Sequence, residues 1–327
     1  MNCVSKMGVS IRRSVRVLAV GYAMIFAACL GIADDATVSQ PEAKRTDVLT
    51  ARQADANRWM VILCSLGGDE VHEERLTQTV KQIASSAGPV FGVEPEHMRV
   101  LLSSKEMVSK VPNSKLCNRN SLQQLSTELT SLTNGDSNYV FFVVGHSHLE
   151  GRSCQFNIEG PDVDQLEYAK LFGGLPGKDQ VHWIGLPASG YWIKPLTGPG
   201  RTIITATEPD MEITATEMPY ALGSILTANG EHSKLSDLDG DGKLTLMDLY
   251  LAVTIEVHQG FVTQEYLPTE HAQLDDNGDG RGTELQESFL PRKEGEPPVR
   301  KSVRKILDGD KARKFLLGPV TEEVRSN

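Results

Sequence analysis

The chain has 327 residues, 39% of them hydrophobic, enough to bury one large core or two ordinary ones. Lysine and arginine total 33 against 43 acids, a net charge of −10. That balance argues against nucleic acid or an anionic membrane as a partner held by charge.

The first 33 residues differ from the rest. Lys6, Arg12, Arg13 and Arg16 make a basic start, Val17 to Leu30 is nearly all apolar, and Gly31 and Ala33 are small. This three-part layout predicts a secretory signal peptide over residues 1–33, cleaved after Ala33, and an exported protein in the periplasm, at the cell surface or outside the cell. The apolar run falls short of the roughly 20 residues that a spanning helix needs. Two variants stay open: a lipid anchor at Cys29 within Phe26-Ala27-Ala28-Cys29, and twin-arginine export through Arg12-Arg13. Export leaves Cys64, Cys117 and Cys154, an odd number that is no disulfide framework. Cys64 lies in an apolar run and reads as buried and inert, whereas Cys117 and Cys154 fall in loop-like sequence and could pair.

Residues 34–57 are polar and aperiodic, a flexible lead-in. From 58 to 230 short apolar runs alternate with amphipathic stretches. Strands are predicted over 60–66, 98–102, 139–144, 181–186 and 202–206. Helices are predicted over 71–87, 121–132, 164–172 (capped by Asp162 or Asp164) and 217–226. Such alternation predicts an α/β fold, a mainly parallel sheet with helices on both faces.

After Asn229 the composition changes. Residues 231–290 hold two Asp/Gly-rich loops around a helix at 246–257, and 291–327 form a charged tail with a short helix near 311–317. The first loop, 237–248, reads D-L-D-G-D-G-K-L-T-L-M-D. Calcium takes six to eight oxygens, and an EF-hand loop presents them at positions one, three, five, seven, nine and twelve. Asp237, Asp239 and Asp241 fill the first three, the Lys243 carbonyl the fourth, Thr245 the ninth position and Asp248 the twelfth. Gly242 allows the sharp turn and Leu244 is the apolar anchor. Asp248 is one methylene shorter than the usual Glu, which weakens coordination. The second loop, from Asp275 to Gln286, offers Asp275, Asn277 and Asp279 but ends on an uncharged amide. It reads equally as a second calcium site or as an Asx-rich turn. The spacing of the two loops suits a face-to-face pair and fits dockerin modules less well.

The run N-Y-V-F-F-V-V-G-H-S-H leads from a strand to His146, and V-H-W-I-G-L-P-A-S-G-Y-W is a later strand with a small-residue turn. This order, over residues 58–228, resembles the caspase, legumain and gingipain clan of cysteine peptidases. It is also similar to an uncharacterised group of exported bacterial proteins that join such a domain to an acidic calcium loop. The resemblance implies a caspase-like fold with His146 at the catalytic histidine position and the nucleophile at Pro187 or Ala188. Neither residue can attack a carbonyl, and Ser147 replaces the usual glycine. The resemblance therefore implies a pseudopeptidase with an unidentified protein or peptide partner. Three alternatives are a hydrolase using His146 with Ser189, a calcium-dependent assembly module, and zinc held by His146 and His148. Arg201, Glu208, Asp210 and Glu212 read either as the lining of a degenerate pocket or as a solvated loop.

Overall fold

The computed structural model describes residues 57–227, 235–290 and 308–317. The predicted signal peptide, the predicted lead-in before Asn57 and most of the charged tail lie outside these residues.

In chain order the elements are β1 (Arg58–Cys64), α1 (Glu70–Ser85), α2 (Ala87–Phe91), β2 (Met98–Leu102), α3 (Lys105–Lys110), β3 (Ser114–Leu116), α4 (Arg119–Leu132) and β4 (Asn138–Val144). There follow β5 (Ser147–Glu150), β6 (Ser153–Phe156), β7 (Val163–Asp164), α5 (Gln165–Phe172), β8 (Asp179–Gly185), α6 (Ile193–Leu196), β9 (Arg201–Thr205), α7 (Met218–Thr227), α8 (Leu246–Thr263) and β10 (Gln273–Asp275). Seven strands form one sheet in the order β10-β9-β8-β4-β1-β2-β3, parallel except where β10 joins β9.

The central strands are apolar at nearly every position because both faces of the sheet are covered. Period-two alternation sorts their side chains. Met60, Ile62, Val140 and Phe142 pack with Leu76, Val80 and Ile83 of α1 and with Leu222 and Ile225 of α7. Val61, Leu63, Phe141 and Val143 pack with Leu122, Leu125 and Leu129 of α4 and with Tyr168 and Phe172 of α5. Helix ends follow local chemistry. Asp69 caps α1, Asn118 caps α4, and Asp164, one of the two residues predicted for the role, caps α5. Leu246, Leu249, Tyr250 and Val253 of α8 belong to the same core as α1 and α7, so the acidic-loop region rests on the α/β sheet.

Several expectations are corrected. Residues 147–164 fold as a small antiparallel sheet, β5-β6-β7, where the sequence reads as loop. The predicted terminal helix is only a 3-10 turn at Ala312–Lys314, and Ala312 and Leu317 pack into the core. The two acidic loops do not face each other. Leu246 N donates to the Phe315 carbonyl at 2.9 Å and Leu317 N to the Leu244 carbonyl at 2.8 Å, so the first loop pairs with the C-terminal strap 308–317. The second loop closes on itself through Leu274 and Thr283 and enters the sheet as β10. Cys64, Cys117 and Cys154 are all buried free thiols, so Cys117 and Cys154 are not paired.

Candidate functional site

The loop at 237–248 is built by its own carboxylates. Asp237 accepts from the N–H groups of Gly240, Asp241 and Gly242, Asp239 from Asp241, and Asp241 from Lys243. Gly240 (φ 75°) and Gly242 (φ 82°) supply the left-handed backbone the turn requires. Asp248, fully buried at the start of α8, closes the loop. Its Oδ1 accepts from Leu238 N at 2.7 Å and its Oδ2 from Thr245 N at 2.8 Å and Thr245 Oγ1 at 2.9 Å. Burial pushes its carboxyl above the usual range. Oxygens of Asp237, Asp239 and Asp248 all lie within 4.8 Å of one another, the only such cluster of three acidic, histidine or cysteine ligands among the described residues. A set of hard oxygen donors suits calcium better than zinc. Asp241 stands outside this cluster, and Thr245 is buried and orients Asp248. Arg313 of the strap reaches Asp239 at 2.7 Å.

The second loop repeats this turn. Asp275 accepts from Gly278 N and Gly280 N, Asn277 from Asp279 N, and Asp279 from Arg281 N. The closing residue differs: the Gln286 amide is buried and spent on Tyr250 and the Ala272 carbonyl. Asp275 is also buried and accepts from Thr197 Oγ1 at 2.8 Å. The strap is fastened here, with Asp276 accepting from the N–H groups of Gly309, Lys311 and Ala312.

A second candidate site lies on the sheet. From β1 the chain steps outward through β2 to β3, then returns to β4 and steps the other way through β8 to β9. The crevice outside the carboxyl ends of β1 and β4 is thus the topological switch point, where open α/β sheets bind ligands. A cleft of about 540 Å³ occupies it, lined by Asp69, His72, His146, His148, Asn157 and Asp162 among others. The His72 and His146 rings meet edge to face at 5.2 Å. His72 Nδ1 is 2.8 Å from Asp69 Oδ2. His146 Nε2 is buried with no hydrogen-bond partner among the described residues, and burial followed by the neighbouring His72 lowers the imidazole's basicity. His148 is exposed and its Nδ1 lies 2.7 Å from Asn157 Oδ1; it lines the same cleft as His146, but the two join no third metal ligand among the described residues.

Sequence reasoning missed Asp69 and His72. Their signal was the G-G-D-E-V-H run directly after an apolar strand, which reads only as a helix start until β4 is placed beside β1.

The strand-end turn after β8 carries no exposed nucleophile. Ser189 is fully buried, and its Oγ accepts from Ala206 N at 3.0 Å and Thr207 N at 3.2 Å. Ala188 sits at φ 50° and is buried. The Pro187 carbonyl accepts from Ser147 Oγ at 2.7 Å and from the Cys154 thiol at 3.5 Å. Burial raises the pKa of all three thiols, with Cys117 pushed up to about 12, so none is a ready thiolate. Arg201 is occupied with the carbonyls of Gly173 and Leu196. Asp210 accepts from the Tyr191 hydroxyl. No described helix is long and apolar enough to cross a membrane. No protein-family model matches the chain, and no curated protein matches it.

Proposed function

We propose that this is an exported calcium-binding protein whose caspase-like α/β domain binds a partner without cleaving it. The carrying observation is the meeting of Asp237, Asp239 and Asp248 within one turn whose positions follow the calcium-loop pattern. Support for the caspase-like reading comes from the adjacency of β4 and β8, parallel strands that His146 and Pro187-Ala188 follow by two or three residues. The burial and hydrogen bonding of Ser189 speak against it as nucleophile and for a structural role. Thermal unfolding tests the calcium reading: added calcium raises the midpoint, chelator reverses it, and Asp237→Ala removes the response, because a ligand that binds only the folded state stabilises it. An unchanged midpoint would reject the reading. Calcium-dependent peptide cleavage that is lost in His146→Ala would overturn the non-catalytic part.

A further inference from the structure

The loop 212–217, the start of α7, the final turns of α8 and the segment after it surround a cavity of about 460 Å³. Four carboxylates line it: Glu212, Glu217, Glu256 and Glu270. Tyr220, Phe261 and Tyr266 add aromatic surface. Thr216 also lines it. Its side chain is buried, and its Oγ1 finds no hydrogen-bond partner among the described residues. A buried hydroxyl in that state costs free energy. Glu212 holds a left-handed backbone at φ 44°, a conformation unusual for a glutamate.

We infer that this cavity binds an organic cation on an alkyl stem, an ammonium or guanidinium of the kind that lysine and arginine carry. Aromatic faces attract such cations, and carboxylates neutralise them, whereas a metal ion gains nothing from the aromatic surface. The wall already shows the same recognition from the protein's own side. The Arg75 guanidinium lies 3.6 Å over the Tyr220 ring while it pairs with Glu217 at 2.9 Å. A guanidinium also brings enough N–H donors to serve several of the carboxyl groups at once. Glu270 is held by Glu217 N and Met218 N, yet burial, then the Glu217 and Glu212 charges, push its carboxyl up to about 8. A bound cation would relieve that strain. Ile213, Tyr266 and Leu267 are exposed beside these lining residues, at 54%, 65% and 84%, and offer apolar surface to a peptide carrying the cation.

The test is calorimetric titration of the full, calcium-supplemented protein with agmatine, with acetyl-Ala-Arg-Ala-amide and with its uncharged citrulline counterpart. The arginine peptide is expected to bind at least about tenfold tighter than the citrulline peptide. Glu212→Gln and Tyr266→Ala, each checked for native circular dichroism, are each expected to weaken it about fivefold. Tighter binding of the peptide than of agmatine assigns the cation to a peptide, and equal binding assigns it to a free amine; both support the site. Equal affinity for the arginine and citrulline peptides would overturn the inference. So would no binding of either cation up to about millimolar concentration, or variants that leave affinity unchanged.

Discussion

Asp248 accepts hydrogen bonds from Leu238 N, Thr245 N and Thr245 Oγ1 while fully buried, and the same carboxylate completes the three-acid cluster. Its removal leaves buried donors unpaired whether or not calcium is present. Asp248→Ala is therefore expected to cost about 2–3 kcal/mol in urea unfolding with chelator present. Asp237 is exposed, so Asp237→Ala costs under about 1 kcal/mol under the same conditions while it abolishes the calcium response. His182 sets a different dependence. It is buried between the Tyr168 hydroxyl and the Gln180 amide, and burial lowers its pKa from 6.5 to about 3. The unfolded chain then binds a proton that the native state refuses, so stability is fully present above pH 6.5 and falls as the pH drops toward 3. Unfolding measured across that range in His182→Gln should show a shallower loss. At this scale the loop positions were legible because their bonds stay within the loop, most of them within five residues and the Asp248–Leu238 closure within ten. Ser189 was not, because its partners Ala206 and Thr207 lie just past the end of β9, seventeen and eighteen residues away.

Among elements, the strands and long helices could be read from apolar runs and periodicity. The burial they announce is what holds them, and β2 occupies the predicted residues. Boundaries moved by a few residues elsewhere, and α8 continues to Thr263 because its C-terminal turns remain partly covered. Short pieces were not legible. The strands β5, β6 and β7 have at most four residues each and gain their order from one another. β10 has three residues and exists as a strand because β9 offers an edge. The strap 308–317 is the clearest case. Its sequence suggests a short helix, yet its conformation comes from the Asp276 carboxylate on three of its N–H groups and from pairing with the first loop. Asp276→Ala leaves those buried donors without an acceptor, an expected loss of about 2–4 kcal/mol. Because the strap also brings Arg313 to Asp239, the same variant should speed backbone amide exchange in 308–317 and in the Asp237 loop together. Exchange accelerated in the strap alone would show that the two are not coupled.

Across the whole molecule, one sheet divides two apolar layers, and the acidic loops are fixed to it by α8, β10 and the strap. Alternating strands and helices made the α/β class legible. Relations between distant segments were not: the switch-point cleft needs β1 and β4 side by side, and the carboxylate-lined cavity needs loop 212–217 against the end of α8. Calcium bound as proposed would have a structural place, since Asp248 both closes the loop and stands in the first turn of the helix that packs on α7. The second loop keeps the turn but has committed Gln286 to Tyr250, so one site rather than two is proposed. In the first loop the short twelfth residue, Asp248, fits an affinity of about 0.1–1 mM, the range of extracellular modules. Calorimetric titration of calcium into the chelator-stripped protein tests this most directly. One saturable site is expected, lost in Asp237→Ala and kept in Asp279→Ala. No uptake up to several millimolar, or uptake that survives Asp237→Ala and disappears in Asp279→Ala, would contradict it.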